Sequence, residues 1–228
     1  MTGRPAPAVL PPSLRAGLGL IAALAALVVV VLGVLHAGHS EPGRVDRWII
    51  QPTADSVRPP WRYVALATDF LGEPVGAATL VVATVTGCLL RRRPCEAVLV
   101  VAGPGLTVGT TTLLKPLVGR TIHGDGNLSY PSGHTAFLTA LALVVALLAS
   151  GRFRLGRTAA TSLVLAAALV AGAAMGWAQV ALGAHYPTDV IGGWCTALAV
   201  IPATAWLVDR MADRLVDRRA DAGRRERR

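Results

Sequence analysis

Charge is scarce in this chain. Of 228 residues only 15% are charged, against about 25% in an ordinary soluble domain. Lysine is almost missing: Lys115 is the only one, so every other basic side chain is arginine. Cysteine is limited to Cys88, Cys95 and Cys195, without metal-ligand spacing, which argues against a zinc site and for buried reduced thiols. Aromatic residues make up 5%. Hydrophobic residues make up 53%, with a mean hydropathy of +0.54, so the chain reads as a membrane protein. The net charge of +9 and pI near 10.9 would suggest nucleic acid in a soluble protein. Here the arginines stand beside apolar runs, as in cytoplasmic loops, and nucleic-acid binding is set aside.

The apolar runs include Ala16–Leu35, Ala136–Ser150, Thr158–Trp177 and Val190–Val208, each near the roughly 20 residues a span needs. The first is long for a signal peptide and further spans follow it. Six spans are expected: about 16–36, one within 61–90, 95–114, 132–150, 158–182 and 188–208. Asp69, Glu73 and Pro74 interrupt the second, and Gly103-Pro104-Gly105 should kink the third. A short interfacial helix is expected around Val45–Ile50, where Trp48 suits the headgroup region. Arg15, Arg91–Arg93, Arg152–Arg157 and the C-terminal arginines then share one side. By the positive-inside rule that side is cytoplasmic.

The expected architecture is therefore all-α, a polytopic helical bundle in the cell membrane. Residues 1–15 form a disordered cytoplasmic tail, residues 16–208 the six-span domain, and residues 209–228 a charged cytoplasmic tail. In that last tail Asp209/Arg210, Asp213/Arg214 and Asp217/Arg218 recur every four residues, as on a solvated helix. Both termini lie inside, and the polar loops 37–60 and 115–131 converge outside with the turn at His185.

The most polar of these loops, Lys115 to His134, reads KPLVGRTIHGDGNLSYPSGH. It ends on a hydroxyl, a glycine and an imidazole at a helix start, where backbone N–H groups favour anions. The second cluster is His185 with Asp189. A carboxylate on one ring nitrogen fixes the tautomer and leaves the other as a base or nucleophile. Read blandly, Asp189 and Ser132 are helix caps, and His123 and Asp125 belong to a polar turn with Gly124 and Gly126. On one membrane face, Lys115, Arg120, Ser132, Gly133, His134, His185 and Asp189 together supply what phosphoryl transfer requires.

Pro131-Ser132-Gly133-His134, with an upstream lysine and a downstream His-x-x-x-Asp, resembles the type-2 phosphatidic acid phosphatase family. That family contains integral-membrane lipid phosphatases and is related to the vanadium haloperoxidases. The resemblance implies that His185 attacks phosphorus and becomes phosphohistidine, that Asp189 orients it, and that His134 protonates the leaving oxygen. It implies that Lys115, Ser132 and the Gly133 backbone hold phosphate oxygens, with no metal ion and no cofactor. No acidic cluster is expected on the outer face to hold magnesium. The implied substrate is an amphiphilic lipid phosphate, such as a polyprenyl pyrophosphate, phosphatidylglycerophosphate or phosphatidic acid.

Two positions depart from the family pattern. Ile122 and His123 stand where it has Arg-Pro, and Ala178-Gln179 where it has Ser-Arg. Arg120 is expected to supply the first guanidinium; Gln179 can donate a hydrogen bond but carries no charge, and His123 is a further candidate. Each lost charged bond weakens a phosphate grip by about 1.5–3 kcal/mol. A lipid-phosphate binding or transport protein and a lipid phosphotransferase stand as alternatives to the hydrolase. The sequence leaves oligomeric state open.

Overall fold

The computed structural model describes residues 8–124 and 126–225, so Asp125 and the outermost tail residues lie outside it. Eight α-helices follow a short 3-10 turn: α1 Arg15–Leu35, α2 Arg44–Ser56, α3 Trp61–Phe70, α4 Pro74–Leu90, α5 Pro94–Val118, α6 Gly133–Arg152, α7 Arg157–Ala181 and α8 Pro187–Arg225. The described residues contain no β-strand, only an isolated bridge between Thr121 and Leu128.

Five helices are long and apolar enough to cross a membrane, and α3 with α4 makes a sixth candidate, bent by 62°. The bend has a local cause. Pro74 drives Glu73 into extended backbone, at φ −66° and ψ 154°. Gly76 is required just after, because a Cβ there would collide with the Phe70 carbonyl at the end of α3. By contrast α5 continues through Pro104 as one 25-residue helix.

Helices α5, α6 and α8 form the centre, α7 lies against α6, and α1 lies along α8. The buried residues of α1, Leu18, Ala25, Val29 and Gly33, recur at helical spacing. Leu20, Leu24, Leu27, Val30 and Val34 point outward, the surface a lipid-facing helix presents. The interior is leucine, valine and alanine, including Leu99, Val100, Leu143, Val144, Leu147 and Ile201. The interfacial helix expected near Val45–Ile50 is the longer α2.

Residues 8–14, expected to belong to an unstructured tail, are packed. Val9, Leu10 and Leu14 are buried. The backbone N–H groups of Val9 and Leu10 donate to Asp209 at 2.7 and 3.0 Å. Arg15 adds an ion pair to the same carboxylate at 3.5 Å. The first residue of the expected C-terminal tail thus fastens the chain's start to α8, which runs on to Arg225.

Candidate active site

The C-terminal ends of α5 and α7 and the N-terminal ends of α6 and α8 gather at one end of the bundle. Gly119, left-handed at φ 65°, ends α5 and turns the chain into the 119–132 loop. That loop is a narrow hairpin: Ser129 N–H donates to Arg120 O at 2.8 Å and Ile122 N–H to Asn127 O at 3.0 Å. Tyr130 is fully buried and donates its hydroxyl to Val29 O at 2.7 Å, anchoring the loop to α1. Burial pushes the Tyr130 hydroxyl up, so it stays a proton donor.

The two clusters read from the sequence meet through the backbone. Ser132 N–H donates to Asp189 O at 3.0 Å, and Ser132 Oγ accepts the Thr135 N–H as the cap of α6. A side chain at Gly193 would strike the Ser132 carbonyl, so glycine is what lets α8 close on this turn. The Pro131–His134 segment and the His185–Asp189 segment are therefore neighbours.

His185 is almost wholly buried, with Nδ1 3.6 Å from Asp189 Oδ2. That is longer than a hydrogen bond, though catalytic contacts of this type tighten when substrate binds. Asp189 is held rigidly. One oxygen accepts Arg120 Nη1 at 2.6 Å and the other accepts Tyr186 N–H at 3.1 Å. Asp189 thus makes a cap-like bond at the start of α8 and also faces the histidine.

Arg120 lies deeper than the sequence suggests. It has no exposed surface. Its guanidinium donates to Asp46 at 2.6 Å, to Asp189 at 2.6 Å and to Thr188 Oγ1 at 2.6 Å, with Cζ 4.5 Å from the centre of the Tyr186 ring. Two carboxylates neutralise it, so the guanidinium expected to face phosphate instead ties α2, the hairpin and α8 together beneath the site. Asp46 also accepts the Thr188 N–H at 3.0 Å and the Thr188 hydroxyl at 2.9 Å. Burial pushes the Asp46 carboxyl up, but the Thr188 N–H, the Arg120 guanidinium and the Thr188 hydroxyl together hold it below its usual 3.8.

Lys115 is half-buried on the last turn of α5 and donates Nζ to Leu128 O at 2.7 Å. Among the described residues it has no acidic partner within 4.0 Å, so its charge is unspent. His123 is exposed and its Nε2 lies 2.8 Å from Gly183 O, so it pins the turn that leads into His185.

The bent α3–α4 pair contributes groups that the sequence reading passed over. His134 Nε2 lies 3.5 Å from Glu73 and 3.7 Å from Asp69. Gly72 lies so close to the His134 ring that a Cβ would overlap it. The three side chains offer donor atoms within 4.8 Å of one another, so they could share a cation. The expectation of no acidic cluster on this face is thereby corrected: the break that interrupts the second span folds both carboxylates back onto α6. Gln179 completes the arrangement. Its buried Nε2 donates to Asp69, while its main-chain carbonyl accepts the Ala184 and His185 N–H groups at 2.9 and 3.3 Å. One residue thus holds the backbone at His185 and fixes Asp69, which faces His134. The only sequence signal for Asp69 and Glu73 was acid inside an otherwise apolar run, which marks functional groups in membrane segments.

The sequence profile of the PAP2 superfamily matches residues 75–212, more than half of the chain. No curated protein matches. Among solved structures, similarity is found to the crystal structure of the first transmembrane PAP2-type phosphatidylglycerolphosphate phosphatase from Bacillus subtilis. The two share 20% identity with a TM-score of 0.67, covering 85% of this chain and 96% of that one. At that identity the likeness is one of fold. With the superfamily profile spanning both histidine segments, the chain belongs to the PAP2 superfamily and is a multi-pass membrane phosphatase.

Proposed function

We propose that this protein hydrolyses a lipid phosphate or pyrophosphate through a phosphohistidine on His185, without a metal ion. The observation that carries this reading is the direct abutment of the two histidine segments through Ser132 N–H and Asp189 O. With Nδ1 turned toward Asp189, Nε2 of His185 is the nitrogen left to attack phosphorus. As the N–P bond forms, the P–O bond to the lipid breaks and the leaving oxygen takes a proton from His134. Water then attacks the phosphohistidine, giving its proton to His134, and breakage of the N–P bond frees phosphate.

Asp69 and Glu73 flank His134 at 3.7 and 3.5 Å and orient its ring toward the leaving oxygen. Lys115 and the α6 N-terminus stabilise the charge gathered on the phosphoryl oxygens. The site faces the outer surface, because the arginine-rich loops at the opposite end mark the cytoplasm, together with both termini. A substrate there carries its phosphate at headgroup level, as polyprenyl pyrophosphate, phosphatidylglycerophosphate and phosphatidic acid do.

The test is phosphate release by purified protein from a panel of these lipids, with divalent cations chelated. Release is expected from at least one lipid, and His185→Ala should abolish it. Undiminished release by that variant, or a strict requirement for added metal, would overturn the mechanism. A second reading, lipid-phosphate binding without hydrolysis, draws on the enclosed Arg120 and the uncharged Gln179. It predicts lipid retention with no release. A lipid phosphotransferase would instead show a rate that depends on an added acceptor.

A further inference from the structure

The far end of the bundle carries a second cleft, unrelated to the histidines. It measures about 720 Å³ and lies where the C-terminal ends of α4 and α6 flank the start of α5. Arg91, Arg93 and Arg152 line it together with Glu96. Arg93 donates to Glu96 at 2.9 Å. Among the described residues Arg91 and Arg152 have no acidic partner within 4.0 Å, so the cleft keeps a surplus of positive charge.

Below the arginines the lining turns apolar, with Val145 and Leu148 on α6 and Thr84 on α4. Thr84 and Val145 each precede an arginine of the rim by seven residues, so the cleft reaches roughly 10 Å along the helices. A free inorganic anion would use the rim and leave this wall idle. A phospholipid uses both, with its phosphate among the guanidinium groups and the start of an acyl chain between α4 and α6.

We propose that this cleft is a binding site for one anionic phospholipid, held by Arg91, Arg93 and Arg152. Basic pockets between spanning helices at the membrane surface favour anionic over zwitterionic headgroups, because the latter bring their own cation. The site cannot be a substrate subsite. Its lining contains no histidine, and along α6 its rim at Arg152 stands roughly 27 Å from His134 and its inner end at Val145 roughly 16 Å. The bound lipid fills a wedge between helices that otherwise scarcely touch, and so braces α4 and with it the α3–α4 bend.

Native mass spectrometry of the full chain, released from detergent after equal additions of phosphatidylglycerol and phosphatidylcholine of matched chains, tests this. The wild type should retain one phosphatidylglycerol about tenfold better than phosphatidylcholine, and the Arg91→Gln/Arg152→Gln variant should lose that preference. An Arg154→Gln/Arg157→Gln variant, altered at the same end but outside the cleft, should keep it. Excess inorganic phosphate should not displace the lipid. Equal retention of both lipids, a preference unchanged in Arg91→Gln/Arg152→Gln, or displacement by phosphate would each overturn the proposal.

Discussion

Asp46→Asn tests the buried triad beneath the site most directly. The Asp46 carboxylate accepts from Arg120 at 2.6 Å, from the Thr188 N–H at 3.0 Å and from the Thr188 hydroxyl at 2.9 Å, with no exposed surface on either charged partner. Asparagine keeps one oxygen for the Thr188 N–H. Its amide, however, meets the Arg120 guanidinium donor to donor, and the buried charge is left with Asp189 alone. Removing one partner of a buried ion pair costs about 3–5 kcal/mol, which lowers the folded-to-unfolded ratio by roughly 10²–10⁴.

Thermal unfolding in detergent, followed by the loss of monodisperse protein, measures the effect. Because Asp46 is held below 3.8, its contribution is complete above that pH and is lost as pH falls through the folded value. The gap between wild type and variant should therefore be constant between about pH 5 and pH 8, and narrow in stronger acid. A variant as stable as wild type, or one whose only defect is a higher KM, would refute the triad. It would return Arg120 to the phosphate.

Four further outcomes are expected. Lys115→Ala should be nearly as damaging as His185→Ala, since Lys115 is the one cation near the site without a carboxylate within 4.0 Å among the described residues; a mild effect in a phosphate-release assay would remove it from the pocket. Asp69→Asn should lower kcat by about tenfold or more with little change in KM, as for an impaired general acid, whereas a pure packing role would lower the melting temperature and leave kcat unchanged. Gly193→Ala should destabilise the protein by about 1–3 kcal/mol, because its methyl meets the Ser132 carbonyl, as a melting curve would show. A cysteine introduced at Asn127 should react with an impermeant thiol reagent in intact cells; labelling only after permeabilisation would reverse the proposed orientation.

Hydropathy and arginine placement made the helices legible, because a span must be long and apolar wherever it sits. The gathering of Ser132, His134, His185 and Asp189 into a candidate site was legible because each lies at or near the start of a helix, where short motifs carry local physics. Arg120 was not, because nothing in its neighbours reports that Asp46, 74 residues earlier, will reach its guanidinium. Asp69 and Glu73 read as flaws in the second span, since the sequence shows a break but not the direction of the bend. The docking of Val9 and Leu10 on Asp209 was equally hidden, as it joins residues about 200 positions apart. Asp46, Asp69 and Glu73 all precede residue 75, where the superfamily profile begins. The recurrent core supplies the histidines, and the segment ahead of it supplies these three carboxylates.

The Arg120 triad also has a consequence for biogenesis. Its three charged members come from α2, the hairpin after α5, and α8, so they leave the ribosome in the order Asp46, Arg120, Asp189. A chain that lacks α8 has Arg120 answered by Asp46 alone, since Asp189 is still missing. Delivery of the last helix therefore settles the buried charge, because Asp189 lies in its first turn. A chain truncated before α8 would carry a buried guanidinium with one carboxylate instead of two, and so fold poorly.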